Sequence, residues 1–259
     1  MPALPSETVA LVTGASRGAG RAIAEALARE GAAVCVNYLQ SQDKAQAVAS
    51  EIEGRGGRAF AHQADVTDPD AVQGMVDAVT ERWGRLDVVV SNALPSYSFD
   101  PGADYVSVET ADWDHFQRQY EGAVRAAFNL ARAALPAMKD QEGGGSLIHI
   151  GTNLVYNPVV TYHDYTAAKA GLVGITRTLA KELGPHGVRV NLVAGGLLQT
   201  TDASAVTSDE VFEFVRQGTP LQQTVTPEQF ADAVLFFASP WSRSVTGQSL
   251  AVDGGLTMA

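Results

Sequence analysis

Residues 149–169, HIGTNLVYNPVVTYHDYTAAK, bring a phenol, an ammonium and a hydroxyl into one short stretch. Tyr165 and Lys169 stand four apart, so on a helix they project from one face. Thr152 lies thirteen residues ahead of the tyrosine. A free phenol titrates at about 10 and is a poor base at neutral pH; lowering it by about 3 units takes roughly 4 kcal/mol of preferential phenolate stabilisation. A neighbouring ammonium supplies part of that by opposite charge. In the other direction, a protonated phenol gives its proton to a carbonyl oxygen, and such general acid catalysis contributes about 10²–10⁴-fold. A Tyr and a Lys at this spacing are also common as a plain helix-surface pair, so the surrounding elements decide between the two.

Apolar runs at 8–12, 33–36, 86–90, 147–150, 188–193 and 249–252, with a weaker one at 58–65, alternate with helical patterns near 19–30, 41–54, 69–83, 111–139, 162–184 and 227–239. Continuous apolar strands separated by helices predict a single α/β domain over 1–259, with a seven-stranded parallel sheet covered on both faces. Asp68 before Pro69 is the expected cap of the third helix. Residues 195–226 interrupt the alternation. They form a polar, small-residue-rich excursion with one apolar-periodic piece, VFEFV, expected to bury itself, and long loops of this kind are commonly lids.

Composition excludes several functions. The hydrophobic fraction of 46 % rules out disorder as the dominant state. Eighteen basic against 29 acidic residues give a formal charge of −11, which repels nucleic acid and anionic membrane. The single cysteine, Cys35, sits in the apolar AAVCV and reads as a core residue. No apolar run approaches the roughly 20 residues of a membrane span, and MPALPSETVALVTG lacks a basic stretch ahead of a long apolar one, so a cytoplasmic protein is expected. His149, His163 and His186 are not spaced as metal ligands; His149 in LIHI reads as a core histidine, and His163 as a residue near the pocket.

The first strand runs into TGASRGAG, residues 13–20, and then into a helix. Glycines at 14, 18 and 20 permit tight turning and close backbone approach, and the N–H groups of the helix start favour a pyrophosphate. Here the chain resembles the short-chain dehydrogenases/reductases, and within them the 3-oxoacyl-[acyl-carrier-protein] reductase type. The resemblance continues through DVTD at 65–68, SNA at 91–93, YTAAK at 165–169, VRVNLVAGG at 188–196, TPEQFADAVLFFAS at 226–239 and TGQSLAVDGG at 246–255. It implies a Rossmann-type doubly wound fold, catalytic Thr152, Tyr165 and Lys169, and a homotetramer assembled through the two long central helices and the C-terminal strand region. It also implies a cofactor cradle of Gly14, Ser16, Arg17, Gly18, Gly20, Asn37, Asp65, Val66, Asn92, Ala93 and Gly196, with Lys169 and Tyr165 at the nicotinamide ribose. Asp65 and Val66 would flank the adenine.

The end of the second strand offers Asn37 and Tyr38, neither of them acidic, so nothing there repels a 2′-phosphate, and Arg17 can pair with one. NADPH is therefore expected ahead of NADH. Four positions depart from the family pattern. Thr152 replaces the usual serine, keeping the hydroxyl but adding a methyl that stiffens χ1. Tyr120, seven residues after Trp113, occupies the place of an asparagine that orders a proton-relay water, for which Asn153 is the nearest substitute. Leu94 replaces a glycine, and Gly195 replaces a proline. The readings in play are an NADPH-dependent ketone reductase, an oxidative alcohol or sugar dehydrogenase, and a cofactor-binding protein with weakened chemistry. KDQEGGG (139–145) and KELGPHG (181–187) offer few cations to an acidic carrier protein, so a small-molecule or coenzyme-A-linked ketone stands beside an acyl-carrier thioester as substrate.

Overall fold

The structure, a computed structural model, describes residues 3–258 other than 96, 98, 101, 104–105 and 200–206. Seven strands, β1 (Val9–Val12), β2 (Ala33–Tyr38), β3 (Arg58–Gln63), β4 (Val88–Ser91), β5 (Gly145–Thr152), β6 (Val188–Gly195) and β7 (Ser249–Val252), form one sheet in the order β3-β2-β1-β4-β5-β6-β7. Every neighbouring pair is parallel. The order reverses between β1 and β4, and the crevice beyond their carboxyl ends is where such sheets hold ligands.

Helices α1 (Gly18–Arg29), α2 (Gln42–Gly54) and α8 (Pro227–Ala238) cover one face, burying Ile23, Leu27, Val48, Ile52, Phe230 and Val234. On the other face α3 (Pro69–Trp83), α5 (Ala126–Asp140) and α6 (His163–Leu183) bury Val72, Met75, Val79, Leu130 and Leu183, with Cys35 among them. Apolar contact on both faces explains why β1 and β4 are buried along their whole length and read as unbroken apolar runs. Asp68 caps α3 as expected, accepting from the N–H groups of Asp70 and Ala71.

Three differences from the sequence reading matter. First, β5 and β6 pair over eight residues, from Gly145 opposite Val188 to Thr152 opposite Gly195. They extend beyond the apolar runs because their end residues, Gly145, Ser146, Gly151 and Thr152 in β5 and Ala194 and Gly195 in β6, are small or polar and carry no apolar signal. Second, the helix expected over 111–139 is α4 (Trp113–Tyr120), one π-helical turn (Glu121–Arg125) and α5. Within that turn Gly122 lies against Pro95, whose ring a Cβ there would overlap. Third, VFEFV forms part of α7 (Asp209–Gly218), yet no residue of α7 is buried and Phe214 is 79 % exposed. The expected burial is met only in part: Phe212 and Val215 are half-buried, while Val211 and Phe214 face outward. The excursion is pinned at its base by a Leu198–Val225 bridge and by Gln199 donating its N–H to the Val225 carbonyl at 2.9 Å. Among the described residues no helix is long and apolar enough to cross a membrane.

Candidate active site

The glycine turn between β1 and α1 is held from below. Asn37, buried at the end of β2, accepts the Gly14 N–H at 3.1 Å and donates from Nδ2 to the Ala64 carbonyl at 3.1 Å. Its amide fixes the turn's backbone. Asn92 does the same from β4, with Nδ2 on the carbonyls of Thr13 (2.8 Å) and Gly14 (3.2 Å). The Thr13 hydroxyl accepts the N–H groups of Asn92 and Ala93 and donates to the Val90 carbonyl. Gly14 adopts φ +60°, and a Cβ on Gly20 would collide with the Gly14 carbonyl and the Asn92 amide. The two glycines are thus required by backbone conformation and by close approach.

No side chain caps the start of α1, and no acid lies in its first turn, so its N-terminal N–H groups and positive dipole end are left for an anion. Beside it, Ser16, Arg17 and Gly18 line an open cleft of about 410 Å³ together with Lys44 from α2. Lys44 has no spacing signal tying it to the turn, and only the packing of α2 beside α1 brings it there. Beyond the end of β3, Asp65 uses Oδ1 on the N–H and hydroxyl of Thr67, and Val66 is buried with its carbonyl on Asn129. Gly196 follows β6, where a Cβ would crowd Asp253 at 2.7 Å. The uncapped helix end and the side-chain-free approach at Gly14 and Gly20 suit the pyrophosphate of a dinucleotide, beside a cleft lined by Arg17 and Lys44 but also by Glu25 and Glu228.

At the carboxyl end of β5, Thr152 faces the first turns of α6. Its hydroxyl lies close enough to that of Tyr165 to act on the phenol's titration, and it accepts the Leu154 N–H at 3.3 Å. One turn along α6, Lys169 Nζ donates to the Ile150 carbonyl at 2.7 Å and lies 5.8 Å from the centre of the Tyr165 ring. All three side chains are buried. Burial pushes the Tyr165 phenol up to about 12, with the neighbouring Thr152 hydroxyl pulling the other way, and pushes Lys169 down to about 8. Desolvation raises the phenol more than the Thr152 hydroxyl lowers it. A phenol that keeps its proton is suited to act as an acid. His149 lies beneath, with Nδ1 on the Thr176 hydroxyl at 2.8 Å, and burial followed by the Lys169 charge pushes it down to about 4. It is a neutral core histidine, as its sequence context suggests, whereas His163 is exposed.

The departures from the family pattern resolve individually. Tyr120 is 43 % exposed and lays its ring over Gly171, on the outer face of α6. Asn153 gives its Nδ2 to Asp253 at 3.0 Å, tying the end of β5 to the C-terminal segment. Neither is placed to serve Lys169. Leu94 packs with Leu154, Tyr162 and Tyr165, away from the glycine turn. A Cβ on Gly195 would lie 3.1 Å from the Phe230 ring, so a side chain there would press on the core. The sequence reading missed Tyr97 and Phe99, whose rings pack on Tyr165. Their loop has no periodicity that would have marked them.

Residues 14–257 match the family described as Enoyl-(Acyl carrier protein) reductase. The 3-oxoacyl-[acyl-carrier-protein] reductase FabG of Staphylococcus aureus is 38 % identical over 251 residues, covering 96 % of this chain and 98 % of that protein. A dehydrogenase/reductase from Sinorhizobium meliloti 1021 superposes with a TM-score of 0.87 at 36 % identity, over 99 % of this chain and 98 % of its own. A short chain dehydrogenase from Burkholderia cenocepacia J2315, solved in complex with NADP, superposes with a TM-score of 0.86 at 35 % identity, over 99 % of both chains.

Proposed function

Because the chain belongs to the short-chain dehydrogenase/reductase family and is an oxidoreductase, we propose that it reduces a ketone to a secondary alcohol using NADPH, on substrates of the 3-oxoacyl thioester or small-ketone class. The observation that carries this is the buried contact of Thr152 with Tyr165 above Lys169. When bound, NADPH would supply the hydride that the carbonyl carbon accepts. Tyr165 gives its proton to the carbonyl oxygen, and the Thr152 hydroxyl donates to that oxygen as charge develops on it, the kind of preorganised contact worth about 10²–10³ in rate. Lys169, anchored on the Ile150 carbonyl, stabilises the charge left on the phenolate. NADPH is preferred on Arg17 and the absence of an acid at Asn37 and Tyr38, and the NADP-bound relative is consistent with it. The 195–226 excursion, with α7, is assigned to the substrate side as its lid. Assembly as a homotetramer is supported by an apolar groove in which Tyr120, Val124, Phe128 and Ile175 line the α4–α6 face.

The test is NADPH oxidation with β-keto thioesters on carrier protein and on coenzyme A, β-keto esters and simple ketones, with NADH alongside and Tyr165→Phe as control. Turnover that falls by about 10²-fold or more in the variant supports the reading. Tight NADPH binding without turnover in either direction would overturn it in favour of a cofactor-binding protein.

A further inference from the structure

Asp164 stands in the first turn of α6, directly before Tyr165, and is 1 % exposed. Its Oδ1 accepts two hydrogen bonds: from the Tyr165 N–H at 2.7 Å and from the Tyr97 hydroxyl at 2.9 Å. The Tyr97 ring lies on the Tyr165 ring, with centroids 5.4 Å apart and planes inclined by 28°. Phe99 meets the same ring at 5.2 Å, nearly perpendicular. One carboxylate oxygen thus joins the backbone of Tyr165 to the ring that fixes the plane of its phenol. A buried carboxylate is costly unless it is hydrogen-bonded, and a helix N-terminus favours it only modestly. Both donors that satisfy this one belong to the holding of Tyr165.

We propose that Asp164 and Tyr97 are positioning residues for Tyr165: together they fix the phenol plane so that its hydroxyl stays on Thr152, where the substrate carbonyl oxygen is protonated. The proposal rests on the ketone-reductase reading of Tyr165. Neither residue touches the reacting atoms. Their contribution is orientation, to which rate is steeply sensitive, since a displacement of about 1 Å can cost about 10²-fold.

Three variants separate orientation from mere structure. Tyr97→Phe keeps the ring and deletes its hydrogen bond. Asp164→Asn keeps an acceptor oxygen for both donors, and Asp164→Ala keeps neither. With ketone and NADPH saturating, Tyr97→Phe and Asp164→Ala are expected to lower kcat about tenfold or more, with KM for NADPH unchanged, and Asp164→Asn to restore kcat to within about threefold of the parent. Wild-type kcat in Tyr97→Phe, or an Asp164→Asn as slow as Asp164→Ala at equal melting temperature, would overturn the proposal. If Asp164→Ala does not fold, the Tyr97→Phe and Asp164→Asn pair decides alone. Crystal structures of the variants read the same claim without turnover: Tyr165 should keep its contact with Thr152 in Asp164→Asn and lose it in Tyr97→Phe. An unmoved Tyr165 in Tyr97→Phe would refute positioning. Should the parent reduce no ketone, the reductase reading fails, and the crystal comparison still decides this one.

Discussion

Replacing Thr152 by valine removes one hydroxyl and almost no volume. The residue is buried at the end of β5, so the isosteric change opens no cavity, and any loss is assignable to the oxygen. That oxygen accepts the Leu154 N–H at 3.3 Å and acts on the neighbouring Tyr165 phenol, where the substrate oxygen is to be protonated. The first loss is kinetic. A donor aimed at the oxygen that gains charge is worth about 2.7–4 kcal/mol, or about 10²–10³ in kcat. The second is structural: the Leu154 N–H is left unpaired at a cost of about 1 kcal/mol, at the low end because the bond is long. Thr152→Ser makes the complementary change. It keeps the hydroxyl and deletes one buried methyl, costing about 1 kcal/mol of stability and leaving kcat within about threefold. The assay is NADPH oxidation at saturating ketone, with urea unfolding run in parallel. If Thr152→Val turns over like the parent, or Thr152→Ser is as slow as Thr152→Val, the hydroxyl has no part in protonating the carbonyl oxygen.

Other perturbations follow from the same geometry. Arg17→Ala is expected to raise KM for NADPH about tenfold to a hundredfold while leaving KM for NADH near the parent value, since one charge-assisted phosphate contact is lost; equal effects on both cofactors would remove Arg17 from phosphate recognition. Gly20→Ala pushes a methyl into the Gly14 carbonyl and the Asn92 amide, so it should cost about 1–3 kcal/mol by thermal melting and abolish NADPH binding by fluorescence titration. His149 has a folded-state pKa of about 4, below its ordinary value of 6.5. The unfolded chain therefore takes up its proton first as pH falls from 6.5 towards 4, and stability declines across that window. The shift corresponds to roughly 3 kcal/mol, and His149→Gln should lose that much less between pH 6.5 and 4 in urea titrations. Identical acid limbs for the two proteins would show that His149 is not a neutral core group.

Which parts of this were legible in the sequence depends on how local the signal is. The cap at Asp68–Pro69, the glycine turn and the Tyr165–Lys169 pair are short-range patterns, and each lies where its spacing predicts. Long-range features were not readable in the same way. The last residues of β5 and β6 are polar or small, and only their eight-residue pairing at the sheet centre identifies them as strand. The π turn at Glu121–Arg125 answers to Pro95, more than twenty-five residues away. Asn37 looked like a cofactor contact from its place in the chain, and the fold uses its amide to hold the Gly14 turn.

The sequence alone determined the order of strands and helices, their parallel arrangement and the residue types available for proton transfer, because periodicity and turn chemistry are set by neighbours in the chain. Only the tertiary structure decided how those groups behave. Burial, which no window of sequence measures, sends Tyr165 up and Lys169 down. Packing across the β4–α4 loop puts Tyr97 on the phenol and on Asp164, because two segments 67 residues apart meet only when the sheet is assembled.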